Sequence, residues 1–229
     1  MPRVVNFMDA ARMTAQTSRE TTLRVRKYFG DAGPFSYGRV RALTSALLAG
    51  DLPFRVLVAG LQKVTFDLAR KCNLEVAELL FGCGRFRGKT FYRLKRVLYS
   101  IDRDFALGIR PEAVAVVNGV PNLIFLQPRK NPVPWAFNAP FMRRLLEDVY
   151  QDYFEESRFW LADAEANGDG KRELKLVDLH SVAPMNEREF IRRVASLRTA
   201  WRLHLKAPAP RDDRRDRPDD RQEDLFDGD

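Results

Sequence analysis

The stretch Arg110-Pro-Glu-Ala-Val-Ala-Val-Val-Asn-Gly-Val-Pro-Asn-Leu-Ile-Phe-Leu-Gln-Pro-Arg-Lys130 decides the fold. Two apolar runs, 112–117 and 121–127, flank Asn118-Gly119. An Asn-Gly pair between runs rich in Val, Ile and Phe is a strong local signal for a two-residue hairpin, because both turn positions need positive φ. Pro128, Pro132 and Pro134 then close the second strand, since proline cannot donate to a ladder.

Working outward toward the C-terminus, residues 141–154 read as a helix with Leu145, Val149 and Tyr153 facing inward. A second hairpin follows: RFWLADAEA, the turn NGDG, then RELKLVDL, which places a strand near 159–164. The last helix is marked at its start. Asn186 stands at the cap, Glu189 at the capping-box position, and Met185 with Phe190 can form a hydrophobic staple. Phe190, Val194, Leu197 and Trp201 give it a buried face. Beyond Pro208 the chain is Pro, Arg and Asp with almost no apolar residues. Residues 207–229 are therefore expected to be a disordered tail, because nothing there can offset the entropy of ordering.

Toward the N-terminus, Thr90 to Phe105 carries an apolar stripe at helical spacing: Phe91, Leu94, Leu98, Ile101 and Phe105, with Arg93, Arg96 and Arg103 off it. The spacing predicts an amphipathic helix. Residues 18–88 read as a helical region, with helices over 21–29 and 37–49 and further apolar runs at 56–64, 66–72 and 74–81, until Gly82, Gly84 and Gly88 break the pattern. Residues 1–17 have no period and are expected to be disordered. The fold class is α+β: a helical N-terminal region over 18–88, then a mixed-sheet core over 89–206 in the order helix, hairpin, helix, hairpin, helix.

Composition narrows the function. Among 229 residues the net charge is +8. Residues 211–229 hold five Arg against eight Asp and one Glu, which is −4, so the remainder carries +12. A basic body attracts polyanions, nucleic acid first among them. No run approaches the roughly 18 apolar residues of a membrane span. The first twenty residues lack a signal-peptide core. Cys72 and Cys83 read as a buried thiol and a loop thiol, and with two histidines the chain offers little to zinc. These features place the protein in the cytoplasm, associated with the nucleoid, with no membrane partner and with its oligomeric state open.

The quoted hairpin resembles the core of the PD-(D/E)XK, restriction-endonuclease-like family. In that family a Pro-Asp begins one strand and an acid, any residue and Lys end the next. Here Arg110-Pro111-Glu112 and Gln127-Pro128-Arg129 occupy those places. The family core runs helix, three strands, helix, strand. The resemblance implies that 90–105 is the first helix, that 112–117 and 121–127 are the second and third strands, that 141–154 is the second helix, and that 159–164 is the last strand, with a short first strand at Ala106–Ile109. It also implies catalytic roles for Glu112, Gln127 and Arg129, with Glu112 and Gln127 as ligands of Mg²⁺ if the protein is a nuclease; no cofactor is otherwise required. Glu112 replaces the usual Asp, Gln127 the usual acid and Arg129 the usual Lys, and Arg surrenders a proton poorly. Asp163 and Glu165 on one strand with Glu173-Leu174-Lys175 on the next form an alternative set, Asp163, Glu173 and Lys175. Alternating charge on an edge strand gives the same letters.

Gln222-Glu223-Asp224-Leu225-Phe226 resembles the pentapeptide by which bacterial polymerases and repair proteins dock on the sliding clamp. The resemblance implies that Gln222, Leu225 and Phe226 bind the clamp, with the two apolar side chains as pocket anchors.

Two other motifs are decoys. Gly84-Arg-Phe-Arg-Gly-Lys-Thr90 has three residues between its glycines where a P-loop needs four, so nucleotide hydrolysis is rejected. As a Gly-rich turn at a helix start it still suits the phosphate backbone. Asp67–Leu80 has helix-turn-helix texture with Asn73 at the turn, but Glu75 and Glu78 on its second half would repel DNA, and core packing accounts for it better.

Three functions remain. The lead is a DNA replication or repair factor recruited by the clamp, with a nuclease-like core of doubtful activity, gripping DNA through Arg85, Arg87, Lys89, Arg93 and Arg96. The second is an active Mg²⁺-dependent nuclease. The third is a non-enzymatic adaptor or plasmid-type initiator.

Overall fold

The computed structural model describes residues 2–30, 36–131, 133–150, 152 and 155–206. In chain order these form β1 (Arg3–Asn6), α1 (Phe7–Met13), α2 (Ser18–Gly30), α3 (Gly38–Ala49), α4 (Phe54–Leu57), α5 (Ala59–Gln62), α6 (Asp67–Gly82), β2 (Thr90–Tyr92), β3 (Val97–Asp102), β4 (Phe105–Ile109), β5 (Ala113–Val117), β6 (Val120–Gln127), α7 (Trp135–Tyr150), β7 (Arg158–Asp163), β8 (Lys175–Asp178) and α8 (Glu187–Lys206). No helix among the described residues is long and apolar enough to cross a membrane.

The hairpin signal is realised at the expected place. Val117 pairs with Val120 across a two-residue turn in which Asn118 and Gly119 have φ of 53° and 81°, the geometry of a type I′ turn. β5 and β6 lie in a five-stranded sheet of order β2-β5-β6-β7-β8. β6 and β7 are parallel, joined by the α7 crossover that parallel strands need. Period-two alternation splits the central strands between two cores. Ala113, Ala115, Ile124, Leu126, Trp160 and Ala162 face Leu47 of α3 and Val76 and Leu80 of α6. Val114, Leu123, Phe125, Phe159 and Leu161 face Phe141 and Leu145 of α7, with α1 and α8 beyond. Covered on both faces, these strands read as continuous apolar runs.

A second sheet has the order β1-β4-β3, with β1 parallel to β4. Its β4 packs on α8, where the Phe105 and Trp201 rings stack at 4.9 Å. α8 begins as expected, with Asn186 Oδ1 accepting from the Glu189 amide at 2.9 Å and Phe190, Leu197 and Trp201 buried. The second hairpin is present as β7 and β8.

Five expectations need correction. The helix over Thr90–Phe105 does not form; the segment is β2, β3 and the first residue of β4. Its stripe serves two cores instead of one helix face: Phe91 packs with the α3–α6 side, while Leu94, Ile101 and Phe105 join the α7–α8 side. The short strand at Ala106–Ile109 exists as β4 but lies in the three-stranded sheet; β2 is the strand beside β5. Residues 1–17, expected to be loose, contribute β1 and α1, with Val5, Phe7, Met8, Ala10, Ala11 and Met13 buried. A seven-residue helix is too short to show a period, so only its tertiary contacts make it visible. The runs at 66–72 and 74–81 are one helix, α6, with Asn73 buried inside it. The helix expected over 141–154 begins earlier, at Trp135, and contains Pro140. The tail 207–229, with Gln222, Leu225 and Phe226, lies outside the described residues.

Candidate functional site

The carboxyl end of the parallel pair β6 and β7 gathers most of the acids and bases singled out in the central hairpins. Open sheets of this kind bind ligands at that end. Glu112 stands just before β5, anchored by its amide, which donates to the Ile124 carbonyl at 2.9 Å. One carboxylate oxygen pairs with the Arg41 guanidinium of α3, and the other accepts from the Leu126 amide at 2.8 Å. Gln127 ends β6 and is buried. Its side chain folds into its own loop: the oxygen accepts from the Arg129 amide at 3.0 Å, and the nitrogen donates to the Arg129 and Asn131 carbonyls at 3.0 and 3.3 Å. Arg129 reaches across to Asp9 of α1 at 3.1 Å, and Asp9 also accepts from the Tyr28 hydroxyl at 3.1 Å.

Asp163 ends β7 and faces Gln127 on one side and Lys175 on the other in the ladder. It is buried and accepts from the Trp135 indole and, at 3.1 Å, from the Glu165 amide. Burial raises its proton affinity to about 6, against the opposing pull of the Trp135 hydrogen bond. Lys175 pairs with Glu165 at 3.3 Å, and Glu173 accepts from Asn167 at 3.0 Å within the turn. Arg12 of α1 donates to the Asn131 carbonyl at 2.8 Å. Burial, and then repulsion from Arg129, lowers its proton affinity to about 10.

The structure thus places Glu112, Gln127, Arg129, Asp163 and Lys175 around one sheet end and leaves Glu173 in the adjoining turn. Most of their polar atoms are turned toward each other or toward α1 and α3. No group of three or more His, Cys, Asp and Glu side chains among the described residues is arranged to hold a metal ion. Sequence reading missed Asp9, Arg12 and Arg41, because they come from distant segments and lack any local pattern.

The basic residues form a different surface. From Leu79 to Ile101 the chain has six cations and no acid. Arg85, Arg87, Arg93, Lys95 and Arg96 are exposed there, and Lys89 is half-buried. Arg85 lies over the Trp160 ring at 4.0 Å. Arg87 lies over Phe81 at 5.0 Å and donates to the Phe81 carbonyl at 2.6 Å. It fits against Gly50, whose φ is +65° and where a Cβ would stand 2.6 Å from the guanidinium. Arg93 donates to the Ala42 carbonyl of α3 at 3.3 Å. The stem of Arg96 crosses Gly108 of β4, where a Cβ would stand 3.1 Å from Arg96 Cδ. The Gly-rich turn holds a single 3-10 turn, Gly84–Phe86, and leads into strand β2, so the α-helix expected to start there does not form.

Residues 90–98 form a strap from β2, an edge of the five-stranded sheet, to β3, an edge of the three-stranded one. Arg93 rests on a carbonyl and the Arg96 stem on a glycine, while Arg85 and Arg87 in the turn before the strap rest on rings. A ring or carbonyl contact orients a guanidinium while leaving some of its five donors available. Tyr92 and Lys95 belong to this surface and were not singled out from the sequence, where the expected helix hid the acid-free run.

No known protein family matches the chain, and no curated protein matches it. A solved structure described as "Crystal structure of SSO0001" aligns at a TM-score of 0.37 and 12% identity, over 90% of this chain and 78% of that one. At that level the likeness carries no weight for fold or function.

Proposed function

We propose that the protein is a DNA-binding replication or repair factor whose body grips the phosphate backbone and whose C-terminal peptide docks on the sliding clamp. The observation that carries the reading is the acid-free run from Leu79 to Ile101: a segment with six cations and no acid, whose arginines rest on aromatic and backbone contacts. Arg85, Arg87, Lys89, Arg93 and Arg96 are its phosphate contacts, and Lys95 joins them. Such a surface favours a polyanion through counterion release, so affinity should fall steeply with salt.

A nuclease-like core is supported by element order. α6, β2, β5, β6, α7 and β7 run helix, three strands, helix, strand, with β3 and β4 inserted after the first of those strands. Binding is favoured over cutting because both Glu112 carboxylate oxygens are engaged, Gln127 is turned into its own loop, and Arg129 is paired with Asp9.

The test has three arms. DNA affinity is measured against salt, and a flat profile would reject the grip on phosphate. Purified clamp is titrated with the full chain and with Leu225→Ala/Phe226→Ala; unchanged binding would reject the docking peptide. Plasmid is incubated with the protein and Mg²⁺ or Mn²⁺; metal-dependent cutting lost in Glu112→Ala would replace this reading with the nuclease.

A further inference from the structure

The strap carries apolar surface that a duplex cannot use. Tyr92 is 56% exposed, Leu98 54% and Val97 37%, and they flank Arg93, Lys95 and Arg96 on either side. The outside of duplex DNA offers phosphates and sugars to a flat protein surface, while the base faces are stacked away inside. An exposed ring and two aliphatic side chains among cations would gain nothing there. A single strand offers both chemistries at once, phosphates on one side and unstacked base faces on the other.

The geometry is that of an extended track. Among the described residues β2 pairs only with β5 and β3 only with β4, so the strap joins two sheet edges. Tyr92 and Leu98 are six residues apart, at most about 20 Å along an extended chain, a span of a few nucleotides. α3 backs the track where Arg93 reaches the Ala42 carbonyl, and Gly108 seats the Arg96 stem. Tyr92, Val97 and Leu98 thus stand on strands, while Arg93 and the Arg96 stem, in the loop between them, are braced by α3 and β4.

Resting on the DNA-binding reading above, we infer that the 90–98 strap is a binding site for single-stranded DNA, in which a base stacks on Tyr92, a second packs on Leu98, and Arg93, Lys95 and Arg96 hold the intervening phosphates. Tyr92 sets strand preference and the cations set affinity for any DNA form.

The test uses the full chain and fluorescence anisotropy with an oligothymidine of about 16 nucleotides, a duplex of equal length and the oligouridine counterpart. Tighter binding of the oligothymidine than of the duplex is expected at one salt concentration. Tyr92→Ala should weaken the oligothymidine by about tenfold, the loss of one stacked base, and leave the duplex unchanged, while Tyr92→Phe keeps the ring and should restore most of the affinity. Lys95→Gln should weaken both DNA forms alike. Equal weakening of single strand and duplex by Tyr92→Ala, or no weakening of either, would overturn the site while leaving DNA binding intact. Preference for the oligouridine would overturn DNA as the occupant. Failure of the unaltered protein to bind any of the three at low salt would overturn the DNA-binding reading itself.

Discussion

At the end of β6 and β7, acids and bases lean on one another: Glu112 on Arg41, Asp9 on Arg129, Glu165 on Lys175. Along the acid-free run from Leu79 to Ile101, cations lean on rings and carbonyls: Arg85 on Trp160, Arg87 on Phe81, Arg93 on Ala42. Both regions are rich in charge, but in the first the charges named face opposite ones, and in the second they rest on neutral groups. A paired charge contributes to structure and loses reach; a charge resting on a neutral support keeps both its place and its attraction for a polyanion. Charge content in the sequence therefore says less about function than what each charge rests upon.

Four outcomes would break or sharpen that contrast, in order of their effect on stability. Glu112→Ala strips Arg41 of its partner and leaves the Leu126 amide unmet, so unfolding by urea should show a loss of about 3 kcal/mol. A loss below about 1 kcal/mol would mean that the pairing is incidental.

Asp163 comes next. Its folded proton affinity lies above its ordinary 3.8, at about 6, so the folded state holds the proton more tightly than the unfolded one. Its contribution is complete near pH 4 and is lost as pH rises through 6. Measured against Asp163→Asn, the unaltered protein should lose about 2 kcal/mol between those limits. Parallel pH curves for the two proteins would show that the carboxyl is solvated.

Lys175→Met removes an exposed partner of Glu165 and should cost about 0.5 kcal/mol by thermal melting. The smallest stability effect belongs to the strap and the turn before it. Lys89→Ala/Arg93→Ala/Lys95→Ala should leave the unfolding free energy within about 0.5 kcal/mol, while the slope of log affinity for DNA against log salt becomes shallower by about 2 to 3. Large destabilisation with an unchanged slope would make the strap structural.

The residues show how far local reading reaches. Asn118-Gly119 fixed its hairpin because a two-residue turn with positive φ is a local property that those residues favour. Asn186 and Glu189 marked the start of α8 for the same reason: a cap is satisfied within four residues. Phe91, Leu94, Leu98, Ile101 and Phe105 misled, since helical spacing also arises when successive strand residues are shared between two cores. α1 was invisible, because seven residues cannot nucleate a helix alone and its burial depends on β4 and α7.

The amino-acid sequence by itself determined the central hairpin, the capped final helix, the α+β class and the excess of positive charge over residues 1–210, all of which depend on neighbours a few positions away or on a sum. Only the tertiary structure decided that 90–105 would be sheet edge, that α1 would cap the β6–β7 end with Asp9 and Arg12, and which cations would be paired and which left facing outward. Those outcomes turn on contacts between residues far apart in the chain, such as Arg129 with Asp9 and Arg93 with Ala42. A local pattern carries no record of which distant group will arrive opposite it.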